Sequence, residues 1–510
     1  MASTSDPPAA TSASITTARP PARRETLILA LGLAVWLAAT IGLRPLLLPD
    51  EGRYAGVAWE MLQGSPDVPR LDGLPFFHKP PLLYWLDLGA MRLFGVHAFA
   101  ARLGPALLGF GLAWALFLHL RRWHGPALAR TGLVVLATSP LFFIGAQYVN
   151  HDIGVAACIT AAVLAIVRAV DDPARTDRRW LVAGWALCGL GVLAKGLIGI
   201  VLPAFVIGPW LLAQGRWRQT LALLHPLGLL AFAAVVLPWT GAMQRRYPGF
   251  FDYFIVEQHF RRFTGSDFNN HMPFWFFVVV LPALMLPWSG WLVALRRTLP
   301  LAPAQLGLYL WWIAAIVGFF SLPASKLVGY VMPALAPMAA LIALVLQARG
   351  TPWRRVGAAS ALLCLGLVGL LAWKDGASHR ELARTLAARM QPGERVAFID
   401  AYYYDLPFYA RLRQPAQVVS DWTSPDIALH DNWRKELADA ARFSPDRGAA
   451  TLWNWSRLPQ LDCATPRVWI VAAQPLHARL AAALPGLSLV RTVRGVELLS
   501  APGRACAVGP

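Results

Sequence analysis

The string Leu48-Pro49-Asp50-Glu51-Gly52-Arg53-Tyr54 sets two carboxylates side by side, and Phe76-Phe77-His78-Lys79-Pro80-Pro81-Leu82-Leu83-Tyr84-Trp85 fixes one lysine between aromatics and two prolines. A carboxylate suits a centre that gains positive charge or must lose a proton, and an ammonium held in place suits a phosphate. Asp152, in the turn Asn150-His151-Asp152, is a third carboxylate. Lys195-Gly196 and Ser325-Lys326-Leu327-Val328-Gly329-Tyr330 supply two more lysines. Each group has an ordinary reading: Asp50 and Glu51 as helix-start residues, His151 as a turn residue, the lysines as snorkelling side chains. Snorkelling does not require three lysines beside two or three carboxylates on one side of a membrane. The string Glu257-Gln258-His259-Phe260-Arg261-Arg262-Phe263 adds a histidine of a type that ligates metals, and a Glu257–Arg261 pair at i,i+4.

The elements that must hold these groups are membrane helices. Among 510 residues, 56% are hydrophobic and 15% charged, with mean hydropathy +0.48, which excludes a soluble chain. A net charge of +18 suits anionic ligands such as phospholipid head groups, and the arginines are scattered between apolar runs, which disfavours nucleic acid. Residues 1–22, rich in Ala, Ser, Thr and Pro, are expected to be a disordered cytoplasmic tail. Short basic clusters at Arg121-Arg122, Arg175-Arg178-Arg179, Arg216-Arg218, Arg296-Arg297 and Arg349-Arg354-Arg355 each lie between apolar runs. Placing all of them in the cytoplasm predicts spans near 26–43, 98–119, 131–149, 153–169, 180–194, 197–213, 220–240, 274–295, 304–322, 329–347 and 356–373. Eleven crossings put the C-terminal part in the periplasm of a bacterium.

The expected organisation is therefore a transmembrane domain over 23–374 and a soluble periplasmic α/β domain over 375–510. Two long outer loops, 44–98 and 241–273, carry most of the candidate chemistry. Tyr54 to Leu62 reads as a surface helix, Pro80-Pro81 opens an apolar helix, and Phe250 to Arg261 has helical spacing. Arg395 to Ile399 and Arg467 to Val471 read as buried parallel strands, with helices near 377–391 and 476–484. Cys158, Cys188 and Cys364 sit in apolar runs, whereas Cys463 and Cys506 would pair in an oxidising compartment.

The ordered set Pro49 to Tyr54, Lys79 to Trp85, Phe99-Ala100-Ala101-Arg102-Leu103, Asp152, Lys195-Gly196, Glu257 to Phe263, Pro287-Trp288 and Ser325 to Tyr330 resembles a known bacterial family. That family is the polyprenyl-phosphate sugar transferases typified by lipid A 4-amino-4-deoxy-L-arabinose transferase, in the protein O-mannosyltransferase-like GT-C superfamily. The resemblance implies a polytopic helical membrane protein with a C-terminal periplasmic α/β domain over a lipid-facing cavity. It also implies transfer of 4-amino-4-deoxy-L-arabinose or another pentose or hexose from an undecaprenyl-type phosphate to lipid A or another envelope acceptor, at the periplasmic face of the inner membrane.

Carried onto this sequence, Asp50 matches the central catalytic position, Asp152 the second carboxylate, and Glu51 stands beside them. Lys79 matches the position that meets the donor phosphate, with Arg53, Lys195, Lys326 and Tyr330 expected around it. Tyr84, Arg261 and Arg262 are expected in the acceptor site or cavity wall, and His259 with His78 at a divalent metal, zinc or similar. The family commonly has an acidic residue where this chain has His78, so the charge of that site differs. A protein or other glycan O-glycosyltransferase of the same superfamily is the alternative. A lipid-linked sugar transporter is disfavoured because its ionisable groups would sit near the bilayer midplane.

Overall fold

The computed structural model describes residues 23–261, 270–297, 303–374 and 378–506; the expected tail 1–22 and Arg262 lie outside them. Among the described residues, six helices are long and apolar enough to cross a membrane: Ala98–Ala137, His151–Ala169, Pro226–Arg246, Pro303–Ser321, Val328–Ala348 and Trp353–Trp373. A bent pair, Phe276–Ala283 with Trp288–Ala294 at 115°, would make a seventh, and Ile198–Ala213 is a shorter apolar helix. Several of the expected runs are thus short or broken, for local reasons. The run 131–149 is interrupted where the Thr138 and Ser139 hydroxyls donate back to Val134 O and Val135 O (2.7 and 2.6 Å) and Pro140 starts the separate turn Pro140–Gly145. The run before it leaves helical geometry at Gly125, whose φ of +86° ends one helix and lets the next begin at Pro126.

His151–Ala169 is buried along nearly its whole length and sits among the other helices. Its neighbours Arg178–Lys195 and Ile198–Ala213 fold back on each other at a sharp turn through Gly196 (φ +89°). They can do so because Gly191 and Gly199 meet backbone to backbone; a Cβ at Gly199 would lie 2.2 Å from the Gly191 carbonyl carbon. This turn brings Lys195 to the same end of the bundle as Asp152.

The first long loop folds into two helices, Asp50–Gln63 and Leu82–Phe94, joined through a two-residue ribbon, Arg70–Leu71 against Leu74–Pro75. The helix near 250–261 is a π-helix, Asp252–Arg261. Its wider turn does not stack residues four apart, so the expected Glu257–Arg261 pair does not form. Glu257 instead faces Lys435 (4.0 Å) and Arg442 (3.8 Å).

The C-terminal segment contains a six-stranded sheet with strands β1 (Arg395–Ile399), β2 (Gln417–Val419), β3 (Leu452–Trp453), β4 (Arg467–Ala473), β5 (Ser488–Val493) and β6 (Val496–Pro502). Their order is β3-β2-β1-β4-β6-β5; the first four run parallel, and β6 is antiparallel to both β4 and β5. The expected strands are thus central and adjacent, with Arg395 opposite Val468. Helices Arg380–Arg389 and His477–Ala483 fall within the two expected helical stretches. Cys463 and Cys506 form a disulfide, and Cys158, Cys188 and Cys364 are free and buried. The sheet's core runs without a break into the first loop: Tyr54, Trp59, Phe76 and Tyr84 pack in one cluster with Leu382, Phe398, Phe408 and Trp469. Hydrogen bonds stitch the same seam, from Leu46 N to Tyr409 Oη (2.8 Å), from Trp59 Nε1 to Leu412 O (3.0 Å) and from Ala416 N to Asp72 Oδ1 (2.9 Å).

Candidate active site

Asp50 and Glu51 are neighbours at the start of one helix, and a step of about 100° around its axis sends them to different places. Glu51 points inward and is fully buried. Its two oxygens accept from Arg44 Nη1 (2.5 Å), Arg102 Nε (2.7 Å), Arg102 Nη2 (2.8 Å), Leu47 N (2.8 Å) and Val149 N (3.1 Å). Burial alone would raise its pKa, but Arg102 and Arg44 outweigh burial and hold it at about 2. The two arginines also donate to Ile41 O, Pro45 O and Gln147 O. Glu51 therefore ties the end of the first helix, the Asp50 helix, the Arg102 helix and the Gln147–Val149 turn into one knot. Enclosed in this way it cannot meet a substrate, which corrects its expected catalytic role.

Asp50 points the other way, into a cavity of about 490 Å³. Its Oδ2 accepts from Asn150 Nδ2 (3.0 Å), Arg53 lies 3.4 Å from Oδ1, and the side chain stays 30% exposed. The cavity wall also holds Asp152, Lys79, Lys195 and Tyr330. Lys195 pairs with Asp152, and its ammonium lies 4.6 Å from the Tyr330 ring centre. Gly329 makes room for this, since a Cβ there would fall 2.3 Å from Asp152 Oδ2. Lys79 donates to its own neighbour's carbonyl, His78 O (3.1 Å), and lines the cavity.

A second, smaller cavity of about 120 Å³ shares His78, Lys79, Lys195 and Tyr330 with the first; Ile198, Phe319, Phe320 and Pro323 line the rest of it together with Gln258, His259 and Ser325. The lysines thus stand where a polar chamber meets one with more apolar surface.

Three further expectations change. Lys326 is buried and donates to Met272 O (3.0 Å) and Pro323 O, so it secures the second loop rather than lining either cavity. Tyr84 is fully buried behind the wall, 5.0 Å from the His151 ring and 6.2 Å from Tyr54. Arg261 is exposed and outside both linings.

The donor atoms of His259 do not fit the metal expectation. His259 Nε2 accepts from Leu197 N (3.1 Å), and Nδ1–H donates to Phe254 O, so both ring nitrogens are spent on the chain. The ring packs on Gly196, whose missing side chain leaves it room. His78 stacks on Phe76 (4.6 Å between centres, 11° between planes) and lies 5.8 Å from Tyr253. Among the described residues, one group of three side chains has donor atoms close enough to share an ion: Asp462, Cys463 and Cys506. It is weak as a metal site, because its two sulfurs are already bonded to each other.

A C-terminal domain over the cavity is what the resemblance implies, but the residues it contributes are not among those expected. Tyr404, Asp431, Asn432, Trp433 and Glu436 line the cavity, all from the C-terminal segment. Glu436 pairs with Arg53 (2.8 Å) and accepts from Tyr404 Oη (2.6 Å), while Arg53 lies over the Tyr404 ring at 5.0 Å. The one signal for them is Tyr402-Tyr403-Tyr404, two residues beyond a buried parallel strand, the end of a sheet where α/β architectures place ligand-facing groups.

Fold and site together define a helical membrane protein with a charged cavity at one end of its bundle, roofed by its C-terminal segment. A family model described as Dolichyl-phosphate-mannose-protein mannosyltransferase matches residues 78–240. An undecaprenyl phosphate-alpha-4-amino-4-deoxy-L-arabinose arabinosyl transferase of Erwinia tasmaniensis is 34% identical over 327 residues, 63% of this chain and 59% of its own length. The chain thus spans under two thirds of that relative. One of Pseudomonas fluorescens is 30% identical over 453 residues, 82% of this chain and 78% of the relative. The crystal structure of ArnT from Cupriavidus metallidurans bound to undecaprenyl phosphate superimposes with a TM-score of 0.80, at 23% identity, over 94% of this chain and 98% of that one, and shares the fold. The chain belongs to the family of undecaprenyl phosphate-alpha-4-amino-4-deoxy-L-arabinose arabinosyl transferases.

Proposed function

We propose that this chain transfers a sugar of the 4-amino-4-deoxy-L-arabinose class from undecaprenyl phosphate to lipid A or another envelope acceptor. The observation that carries this reading is the junction of the two cavities at Lys79, Lys195 and Tyr330. A polyprenyl-phosphate sugar has the same order of parts: an apolar tail, an anionic phosphate and a polar sugar. Seated accordingly, its phosphate meets the lysines and its sugar lies beside Asp50.

In the reaction the anomeric C–O bond to phosphate breaks, and the undecaprenyl phosphate leaves with both electrons of that bond. The sugar carbon gains positive character and bonds to the acceptor oxygen. Asp50 stabilises that carbon, and Lys79 and Lys195 stabilise the leaving phosphate. Arg53, held by Glu436, orients Asp50. A phosphate acceptor is already ionised and needs no base, whereas a hydroxyl acceptor would give its proton to a carboxylate, Asp50 or Asp152.

Removing Lys79 deletes a contact that is present with bound donor and stronger in the transition state. Lys79→Ala should therefore raise the donor KM and lower kcat, with kcat/KM falling about tenfold to a hundredfold. The assay follows release of undecaprenyl phosphate from the sugar-linked lipid in membranes, with mass spectrometry of lipid A and envelope glycans to identify the acceptor. A transporter would move the lipid intact, so unchanged sugar–phosphate bonds in the wild type would overturn the transferase reading.

The reading includes a bacterial inner-membrane location, eleven crossings, a cytoplasmic tail at 1–22, a transmembrane domain at 23–374 with outer loops 44–98 and 241–273, and a periplasmic α/β domain at 375–510. The alternation of basic clusters between apolar runs supports it. Reporter fusions after 375 should behave as periplasmic, and those within 121–130 or at Arg296-Arg297 as cytoplasmic. A cytoplasmic signal after 375 would put the cavity on the wrong face.

A further inference from the structure

One side chain in the roof has no part in the steps above. Asn432 Oδ1 accepts from Arg434 N (2.9 Å) and Lys435 N (3.4 Å), which starts the helix Trp433–Ala441 at Trp433. Glu436 follows at i,i+3, on the same face. It is tied to Arg53 (2.8 Å), and Arg53 in turn lies 3.4 Å from Asp50. Trp433 thus stands one helical turn from a chain of contacts ending at the proposed catalytic carboxylate, and both line one cavity.

Trp433 is braced from behind. Its ring meets Trp422 edge to face, 5.8 Å between centres at 88°. Trp422 is itself fixed, with Nε1 donating to Val418 O (3.0 Å) and its backbone N–H donating to Asn454 Oδ1 (2.9 Å). Trp433 remains half-buried, and among the described residues its indole N–H meets no acceptor. An indole that is rigidly supported, borders a polar cavity and keeps its donor unspent has the properties of a binding surface more than those of packing.

Cavity polarity says what would lie against it. Lys79 and Lys195 mark the phosphate end, and Tyr404 and Trp433 add aromatic rings to the lining. About 490 Å³ falls within the usual range for a small-molecule chamber, roughly 300–1,000 Å³. A sugar ring carries apolar C–H faces between polar edges, which suits an aromatic plane with one N–H donor. We propose that Trp433 is the stacking surface for the transferred sugar and helps decide which sugar-bearing lipid the chain accepts. This rests on the transferase function proposed above.

The test compares two probes on the purified full chain: undecaprenyl phosphate, and the same lipid carrying 4-amino-4-deoxy-L-arabinose. Trp433→Ala should bind bare undecaprenyl phosphate as the wild type does and the sugar-bearing lipid about tenfold more weakly, with KM rising more than kcat falls. Trp433→Phe should restore most of that loss. Trp433→Leu fills much of the volume without an aromatic face; it should behave like Trp433→Ala, and it serves as the test should the smaller side chain let the roof collapse. Equal weakening for both lipids, no weakening for either, or full sugar-lipid affinity in Trp433→Leu would overturn the stacking role. A wild-type chain that binds neither lipid would instead overturn the transferase reading.

Discussion

Turnover of Asp50→Asn should fall about a hundredfold or more, the scale of a positioned catalytic group, while the protein stays folded and in the membrane. The substitution keeps the side chain's shape and removes its charge. Asp50 is part-exposed and held by a contact from Asn150 and a longer one from Arg53, so little stability depends on it. Donor binding should change little, because the phosphate is held by the lysines. The loss should therefore appear in kcat and not in KM. Measured in membranes with the sugar-linked lipid, near-normal turnover would remove Asp50 from the chemistry. Asp152 would then be the next carboxylate to test.

The adjacent residue should give the opposite kind of loss. Glu51→Gln leaves Arg44 and Arg102 buried with no carboxylate between them, and breaking a buried pair in this way costs about 3–5 kcal/mol. The expected result is a large drop in the amount of folded protein in the membrane and in its thermal midpoint. Activity should fall only in proportion to the folded fraction. Protonation should act in the same direction. With its pKa lowered from 4.5 to about 2 in the fold, Glu51 contributes stability that is fully present above about pH 4.5 and is lost as pH falls toward 2. Between pH 5 and 8 this group should therefore give stability no pH dependence. A Glu51→Gln protein with wild-type thermal stability and no turnover would return Glu51 to the catalytic set.

The contrast between these neighbours shows where the sequence stops being informative. Residue type and local order made the apolar helices, the Pro80-Pro81 helix start and the central parallel strands legible, because each depends on contacts within a short stretch. Asp50, Lys79, Asp152 and Lys195 were legible for a related reason. Charges at the ends of apolar runs are costly to keep without a use, so their placement alone marks them.

What the string could not do was tell Asp50 from Glu51. That depends on which way each faces in a helix whose rotation is set by Arg44 and Arg102, and these arrive from the turn after the first helix and from the Ala98–Ala137 helix. Nor could it read Lys326, whose ammonium is taken up by carbonyls of its own turn and of the second loop, or His259, whose nitrogens are closed by a π-helix and a glycine turn. Which residues of the C-terminal segment form the roof was out of reach for the same reason on a larger scale. Tyr404, Trp433 and Glu436 meet Asp50 and Arg53 only because the sheet packs on the first loop through a shared apolar core. The sequence by itself determined which side chains could stabilise opposite charges at a membrane surface. Tertiary packing decided which of them face one chamber and what closes it, because direction and distance between remote segments are set by burial, and local order along the chain carries no record of it.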